Sequence, residues 1–238
     1  MVEMKLAEQA PIPMELGSEI LRVEVGYDRF WDAYQENGNR ANYENAFAGD
    51  GWTNETFAPK YDIAPQDPMG GLRMFFKTRI TDIQKILEDR GLTLDTSKVA
   101  LMQTFQRSQI LRVGTIDMRM CAYSGYADSA FANSTIETID KLSVRANVQF
   151  SNNTFKNCAN LKNLTIEGVI GKSGFDVRWS VNLSKASIIS IIGALSATTS
   201  GLTVTLSATA VTNAFGSTSA DQWTALVATK PNWTISLV

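Results

Sequence analysis

The chain has no histidine. That removes the commonest general base, the usual partner of a catalytic serine or cysteine, and the most frequent zinc ligand. Cysteine is nearly absent too: Cys121 and Cys158 stand 37 positions apart and outside any CxxC pair. Neither a disulfide framework nor a zinc site is expected, and both residues are read as buried free thiols. Proline occurs only at 11, 13, 59, 65, 68 and 231, so the 162 residues from 69 to 230 can run as an unbroken hydrogen-bonded ladder. No apolar run approaches the roughly 18 residues of a membrane-spanning helix, so no membrane insertion is expected. The opening MVEMKLAEQAPIPMELGSE lacks a basic stretch followed by an apolar one and is not read as a secretory signal.

Charge of either sign is scarce as an excess. Lys plus Arg is 22 against 24 for Asp plus Glu, with a pI near 5.3. No global basic field is available for nucleic acid or an anionic membrane, so partners must be recognised by shape and local polarity. Glycine-rich phosphate loops are missing as well, because Gly49 to Gly51 and the Gly70–Gly71 pair fit neither GxGxxG nor GxxxxGK[ST]. No cofactor is expected. The six Asn-x-Ser/Thr triplets, at Asn54, Asn133, Asn152, Asn163, Asn182 and Asn232, follow from a composition rich in those residues and are not read as glycan acceptors.

What the chain does contain is a hidden interval. Phe75 is followed by Thr78 at plus three, Ile80 at plus five, Ile83 at plus eight and Ile86 at plus eleven. Phe105 gives Ser108, Ile110, Val113 and Ile116; Phe131 gives Ser134, Ile136, Ile139 and Leu142. Phe155 gives Cys158, then Leu161 and Leu164 one place late, and Ile166 at plus eleven. The steps of 30, 26 and 24 residues lie in and just above the leucine-rich-repeat range. Each unit reads as a short strand and a returning turn that cannot bury its apolar side alone, so the expected fold is an α/β solenoid of stacked units. The small residue at plus three is expected to face inward.

The flanks differ from this centre. Leu16, Ile20, Val23, Tyr27, Phe30, Trp31 and Tyr34 recur by threes and fours, which predicts a helix, although LRVEVG also alternates as a strand would. From Asn37 to Met69, aromatics pin an irregular segment. TDIQKILEDRG carries a Thr81-x-x-Gln84 capping box and Gly91 as a stop, predicting a helix in the first unit. Beyond Ala186 only Asp221 and Lys230 are charged. There Ser184 caps a predicted helix through Ile188, Ile191, Ile192 and Leu195, followed by a strand LTVTL. Ser219-x-x-Gln222 opens another helix and WTISLV closes as a strand. So bare a surface points either to a contact with another subunit or to a tough outer cap.

Chemistry finds few carriers. A glycosidase needs only two carboxylates, for which Asp62, Asp67, Glu88 and Asp89 are candidates, though any solvated surface offers such residues. DGWTNE and YDIAPQD do not have the spacing of an EF-hand calcium loop, and no metal site is expected. The candidate surface-recognition residues are Tyr123, Tyr126 and Trp179. They fall between the aliphatic positions, where exposed rings beside Asn suit a carbohydrate or protein surface, or else pack across turns.

NTFKNCANLKNLTI, preceded by SAFANSTIETIDKLSV, resembles the BspA-like leucine-rich repeats, in which an Ala-Phe pair, a Cys or small residue and a Leu-x-x-Ile strand recur. YDRFWDAYQENGNRANYENAFAGDGWTNETFAPKYDI, RVGTIDMR and LSKASIISIIGALSATTSGLTVTL, with the closing NWTISLV, resemble C-terminal regions of bacteriophage and prophage tail-associated proteins from gut Firmicutes. The resemblance spans about residues 27 to 238 and brings no residue with a chemical role. It implies an N-terminal attachment segment (1–26), an N-terminal helical or irregular cap (27–70), a leucine-rich repeat solenoid (71–170), and C-terminal helix-strand repeats with a cap (171–238). It further implies a non-enzymatic virion structural protein made in a bacterial host, tail-associated or otherwise surface-displayed, serving host attachment. Its partners would be other virion proteins and a host cell-surface glycan or protein, with a homo-oligomer, a trimer by analogy with tail fibres, as the expected state. A purely architectural virion component and a bacterial surface adhesin are the alternatives.

Overall fold

Phenylalanine rings at the repeat interval stand face to face in a column in the computed structural model, which describes residues 43–123 and 125–238. Phe75 and Phe105 are 5.5 Å apart and 4° from parallel, Phe105 and Phe131 5.2 Å and 7°, Phe131 and Phe155 5.2 Å and 2°. Phe47 extends the column by one ring, 5.0 Å from Phe75. At the other end Phe175 lies 5.5 Å from Phe155 but tilts by 52°. The spacing is close to that of adjacent β-strands, because the backbone turns that carry the rings are hydrogen-bonded to one another.

Those turns are tight for a stated reason. The residues two before and two after a ring adopt left-handed backbone: Arg73 and Lys77 (φ 52° and 57°), Gln103 and Arg107 (56° and 58°), Ser129 and Asn133 (53° and 57°). Left-handed geometry on both sides aims three N–H groups along the column. Arg73, Phe75 and Lys77 donate to the carbonyls of Met102, Thr104 and Gln106 at 3.2, 2.8 and 3.0 Å. Gln103, Phe105 and Arg107 repeat the pattern onto Asp128, Ala130 and Ala132 at 3.0, 2.8 and 2.9 Å. The plus-three residues Thr78, Ser108, Ser134 and Cys158 are buried; three of them find carbonyls, and the Ser134 hydroxyl meets the Cys158 thiol at 3.7 Å. The Thr78 hydroxyl donates to Trp52 O at 3.2 Å, Ser108 to Phe105 O at 2.8 Å and the Cys158 thiol to Phe131 O at 3.0 Å.

Opposite the rings run three strands, β1 (Arg112–Asp117), β2 (Thr138–Val144) and β3 (Asn163–Gly168), paired in parallel in the order β1-β2-β3. Val113, Ile116, Ile139, Leu142 and Leu164 point inward from them and are buried. Arg112 pairs with Asp140 and Lys141 with Glu167 across the outer face.

The expected leucine-rich repeat (BspA-like) solenoid is corrected by this pairing. The described residues form an α/β domain with two separate three-stranded parallel sheets, β1-β2-β3 and a second one formed by Asp176–Val177, Leu202–Leu206 and Trp233–Leu237, and four helices, and no continuous ladder of strands joins them. The reason is visible at both edges of the first sheet, where a helix stands in place of the strand that a solenoid requires. Before β1, a single bridge between Asp82 and Arg112 is followed at once by α1 (Ile83–Glu88). This helix packs so closely that a Cβ at Gly114 would lie 1.9 Å from the Gln84 amide oxygen. After β3 comes β4 (Asp176–Val177) and then α2 (Lys185–Ala194), which lies along the free edge of β3. The N–H groups of Leu164 and Ile166 donate to the hydroxyls of Ser187 and Ser190, both at 2.8 Å. Side chains thus satisfy the edge that another strand would have paired.

The second sheet places β5 (Leu202–Leu206) between β4 and β6 (Trp233–Leu237), all parallel, with α3 (Ala208–Phe215) and α4 (Asp221–Ala228) in the connection. Lys230 Nζ donates to Gly193 O, and Asn232 Nδ2 and Trp233 Nε1 both donate to Ser196 O, each at 2.9 Å. The last strand is thereby tied to the C-terminal end of α2. Ser184 caps α2 as expected, accepting from the Ser187 N–H at 3.2 Å. The other two capping assignments shift. Asp82, not Thr81, caps α1, because Thr81 is held by Asn54 through two hydrogen bonds of 2.7 and 2.8 Å. Ala220 precedes α4 without a side-chain bond, while Ser219 pairs with Ser217. Helix α3, with Ser207 at its N-cap, was not expected from the sequence.

The chain divides into two units, 1–39 and 40–238. The anticipated attachment segment 1–26 and the helix of residues 16–36 lie outside the described residues. Replacing Ser187 by Ala leaves the Leu164 N–H without its acceptor, and denaturant unfolding should register a loss of about 1–3 kcal/mol. Unchanged stability would show that water serves this edge as well as the helix does.

Candidate functional site

Tyr123 is the most exposed large apolar side chain of the described residues, at 68%. Its ring meets that of Tyr126 edge-on, 5.3 Å between centroids. The pair is made by a turn: the Tyr126 N–H donates to Tyr123 O at 3.2 Å, with Gly125 at a positive φ of 92° between them. The sequence signal for that turn was the glycine one place before the second tyrosine. Three bonds fix its base. Leu101 N–H donates to Tyr126 O at 2.8 Å, the Cys121 thiol donates to the same oxygen at 3.5 Å, and Gln149 N–H donates to Cys121 O at 2.8 Å. Ring geometry is therefore set by backbone on both neighbouring turns.

Trp179, 43% exposed, sits elsewhere in the chain path. It follows Phe175, whereas the tyrosines precede Phe131, and no ring contact joins it to them among the described residues. Its turn is anchored by the Ser180 hydroxyl donating to Cys158 O at 3.1 Å, beside the Arg178–Asp176 ion pair. The structure brings Tyr123 and Tyr126 together and does not bring Trp179 to them.

The four carboxylates considered for glycoside hydrolysis are each engaged locally. Asp62 accepts from the N–H and hydroxyl of Thr93 at 2.7 and 2.9 Å, and Asp67 from the Met69 N–H at 2.9 Å. Glu88 accepts from Gln84 at 2.7 Å and Asp89 pairs with Lys85 at 2.7 Å. These are turn, cap and surface-helix contacts, with no two of the four sharing a partner. Among the described residues, no group of three or more Cys, Asp or Glu side chains is placed to hold a metal ion. No described helix is long and apolar enough to cross a membrane.

Electrostatics mark no nucleophile. Burial pushes the Cys121 thiol up to about 12 and the Cys158 thiol up to about 11, away from the thiolate form that reacts. Glu167 is held below its ordinary value by hydrogen bonds from Ser143 and Lys141. Arg119 is held above its own by Asp117. The chain matches no protein-family model, no curated protein and no solved structure.

The thiols supply a test of the turn. A raised value favours the neutral thiol in the fold, so its stabilisation is complete below the ordinary value of 9.0 and is lost as pH rises towards about 11 and 12. Unfolding free energy should hold steady near pH 8 and fall above pH 9, and iodoacetamide at pH 8 should label both cysteines only in denaturant. Rapid labelling of Cys121 in the folded protein would show that the tyrosine turn opens.

Proposed function

We propose that the protein is a non-enzymatic structural protein of a bacteriophage virion, displayed on the tail or another outer structure, and that it presents Tyr123 and Tyr126 to a glycan of the host-cell surface. The single observation that carries the binding role is the exposed Tyr123 ring, met edge-on at 5.3 Å by the half-buried Tyr126 and held by backbone hydrogen bonds. Rings fixed in this way lose little freedom on binding, and a sugar ring packs on one face while Tyr hydroxyls and neighbouring amides meet its hydroxyls. Placement on the virion rests on the sequence resemblance of residues 27 to 238. Several copies in one assembly, a trimer by analogy, would turn weak contacts into firm attachment.

The test is saturable binding of the labelled, folded protein to intact host-type cells, with a heat-unfolded sample as control. Tyr123→Ala should weaken binding at least about tenfold, the equivalent of about 1.4 kcal/mol, without moving the thermal midpoint. Full binding by Tyr123→Ala and Tyr126→Ala variants would retire the aromatic face as the receptor surface.

One observation favours the architectural alternative. On α2, Ile189 is 44% exposed within a stretch, 186 to 238, whose only charges are Asp221 and Lys230. If this surface is an assembly contact, Ile189→Glu should fold normally yet fail to enter particles, because a buried unpaired carboxylate is costly. Normal incorporation would exclude the contact.

A further inference from the structure

Gly49, Lys77, Arg107, Asn133 and Asn157 occupy one column, each two residues after a ring and each left-handed, with φ of 100°, 57°, 58°, 57° and 57°. The turns that carry the first four are bonded in register, Gly49 to Phe76 O, Lys77 to Gln106 O, Arg107 to Ala132 O and Asn133 to Lys156 O. Gly and Asn are the residues that tolerate this backbone, and Lys and Arg are not. Where the column carries Asn133 and Asn157, the side chains pair at 2.8 Å. In the neighbouring column Arg73 Nε donates to Gln103 at 2.6 Å. Only the step from Lys77 to Arg107 sets two like charges on adjacent turns.

Among the described residues, no carboxylate forms an ion pair with either of them. No Asp or Glu occurs from Met69 to Thr81 or from Thr96 to Ile116, while Arg73, Lys77, Arg79, Lys98, Arg107 and Arg112 do. Arg112 is paired with Asp140 and Lys98 bonds to Gln66, whereas Arg73, Lys77, Arg79 and Arg107 make no ion pair among the described residues. The Arg73 guanidinium and the Lys77 ammonium lie 5.6 and 5.4 Å from the Phe76 ring centre, which positions both without cancelling either. On the following turn the Asp128 carboxylate is occupied by Ser129, Ser151 and Asn153. Strained backbone and unpaired like charge are both costs to folding, and both fall together on Arg73, Lys77 and Arg107.

We propose that Lys77 and Arg107, flanked by Arg73 and Arg79, form a site for a linear anionic polysaccharide that carries phosphate or carboxylate groups. The charges repeat along the column at the spacing of its turns, 5.5 Å between the rings of Phe75 and Phe105, so an extended polymer meets them in sequence. Gln106, Gln109 and Asn133 beside them offer amides that suit hydroxyl groups. Single-stranded nucleic acid fits less well, because it needs an open ring for base stacking and Phe76 is half-buried beneath two cations.

The experiment measures affinity for fluorescently labelled polyphosphate and polygalacturonate across a salt series, with neutral dextran and oligothymidylate alongside. The Lys77→Asn, Arg107→Asn double variant adopts the residue already found at 133 and 157, so it keeps the fold, which circular dichroism checks. Its affinity for the better of the two anionic polymers should drop at least about tenfold, and the salt slope should decrease by about two. Tyr123→Ala should leave this binding unchanged, which separates a failure here from a failure of the tyrosine face. The preferred polymer tells phosphate from carboxylate. No binding of either, undiminished binding by the double variant, or tighter binding of oligothymidylate overturns the assignment.

Discussion

The turns facing the first sheet depend on phenylalanines held between left-handed residues. The arrangement is locally unfavourable: left-handed backbone costs about 1–2 kcal/mol for each residue with a side chain. Eight described residues other than glycine adopt it. Against that, fully burying a phenylalanine side chain is worth about 1.5–3 kcal/mol. One ring therefore offsets its two flanking residues only together with the backbone bonds to the next turn. None of this holds for a single turn, whose ring would have water on both faces. The column is cooperative because each ring is a neighbour's lid.

The same dependence explains why the ends of the first sheet are closed by helices and hydroxyls. A parallel strand with an open edge would recruit another chain as readily as its own next segment. At β3 the serines of α2 take the edge N–H groups, and at β1 the short helix α1 covers Gly114. Both devices stop propagation, and at β3 the hydroxyls also satisfy the edge donors. The second sheet then begins afresh around β5, and its final strand is tied back to α2 by Lys230, Asn232 and Trp233.

How far the sequence was legible follows from what an interval can encode. The Phe, small residue and aliphatic spacing marked Phe75, Phe105, Phe131 and Phe155 as equivalent positions of one interval and the plus-three residues as facing inward, since side-chain size acts at fixed offsets; that the rings stack in a column was not read from it. Phe47 escaped because Trp52 stands at plus five, where the other units have an aliphatic, and its further partner Phe57 falls off the repeat offsets, although both pack against it. The solenoid was an overextension of that interval. Period alone does not say whether the next segment pairs as a strand or covers the edge as a helix, and the serines at 187 and 190 decided for the helix. At the candidate site, the exposure of Tyr123 could be anticipated from its place between aliphatics. Its separation from Trp179 could not, because that depends on which side of its ring each lies. The cation column was hidden for a further reason: Lys77 and Arg107 are 30 residues apart, and a net charge near zero conceals a local excess.

Rigidity links the two surfaces to the interior. The tyrosine turn and the cation column are both displayed from turns whose N–H and C=O groups are consumed by neighbouring turns, so neither surface has to be ordered when a partner arrives. Their side chains differ in what they resist. The tyrosines are set by a glycine turn and lose only ring rotation, whereas Lys77 and Arg107 bring a mutual repulsion that an anionic partner would relieve. Relief of a pre-existing repulsion favours the bound state without any new apolar contact, and salt weakens it. An uncharged sugar on the aromatic face would not share that salt dependence. Ionic strength would thus divide the two proposed modes of recognition, because one would draw on desolvated ring area and the other on charge held in place by the phenylalanine column.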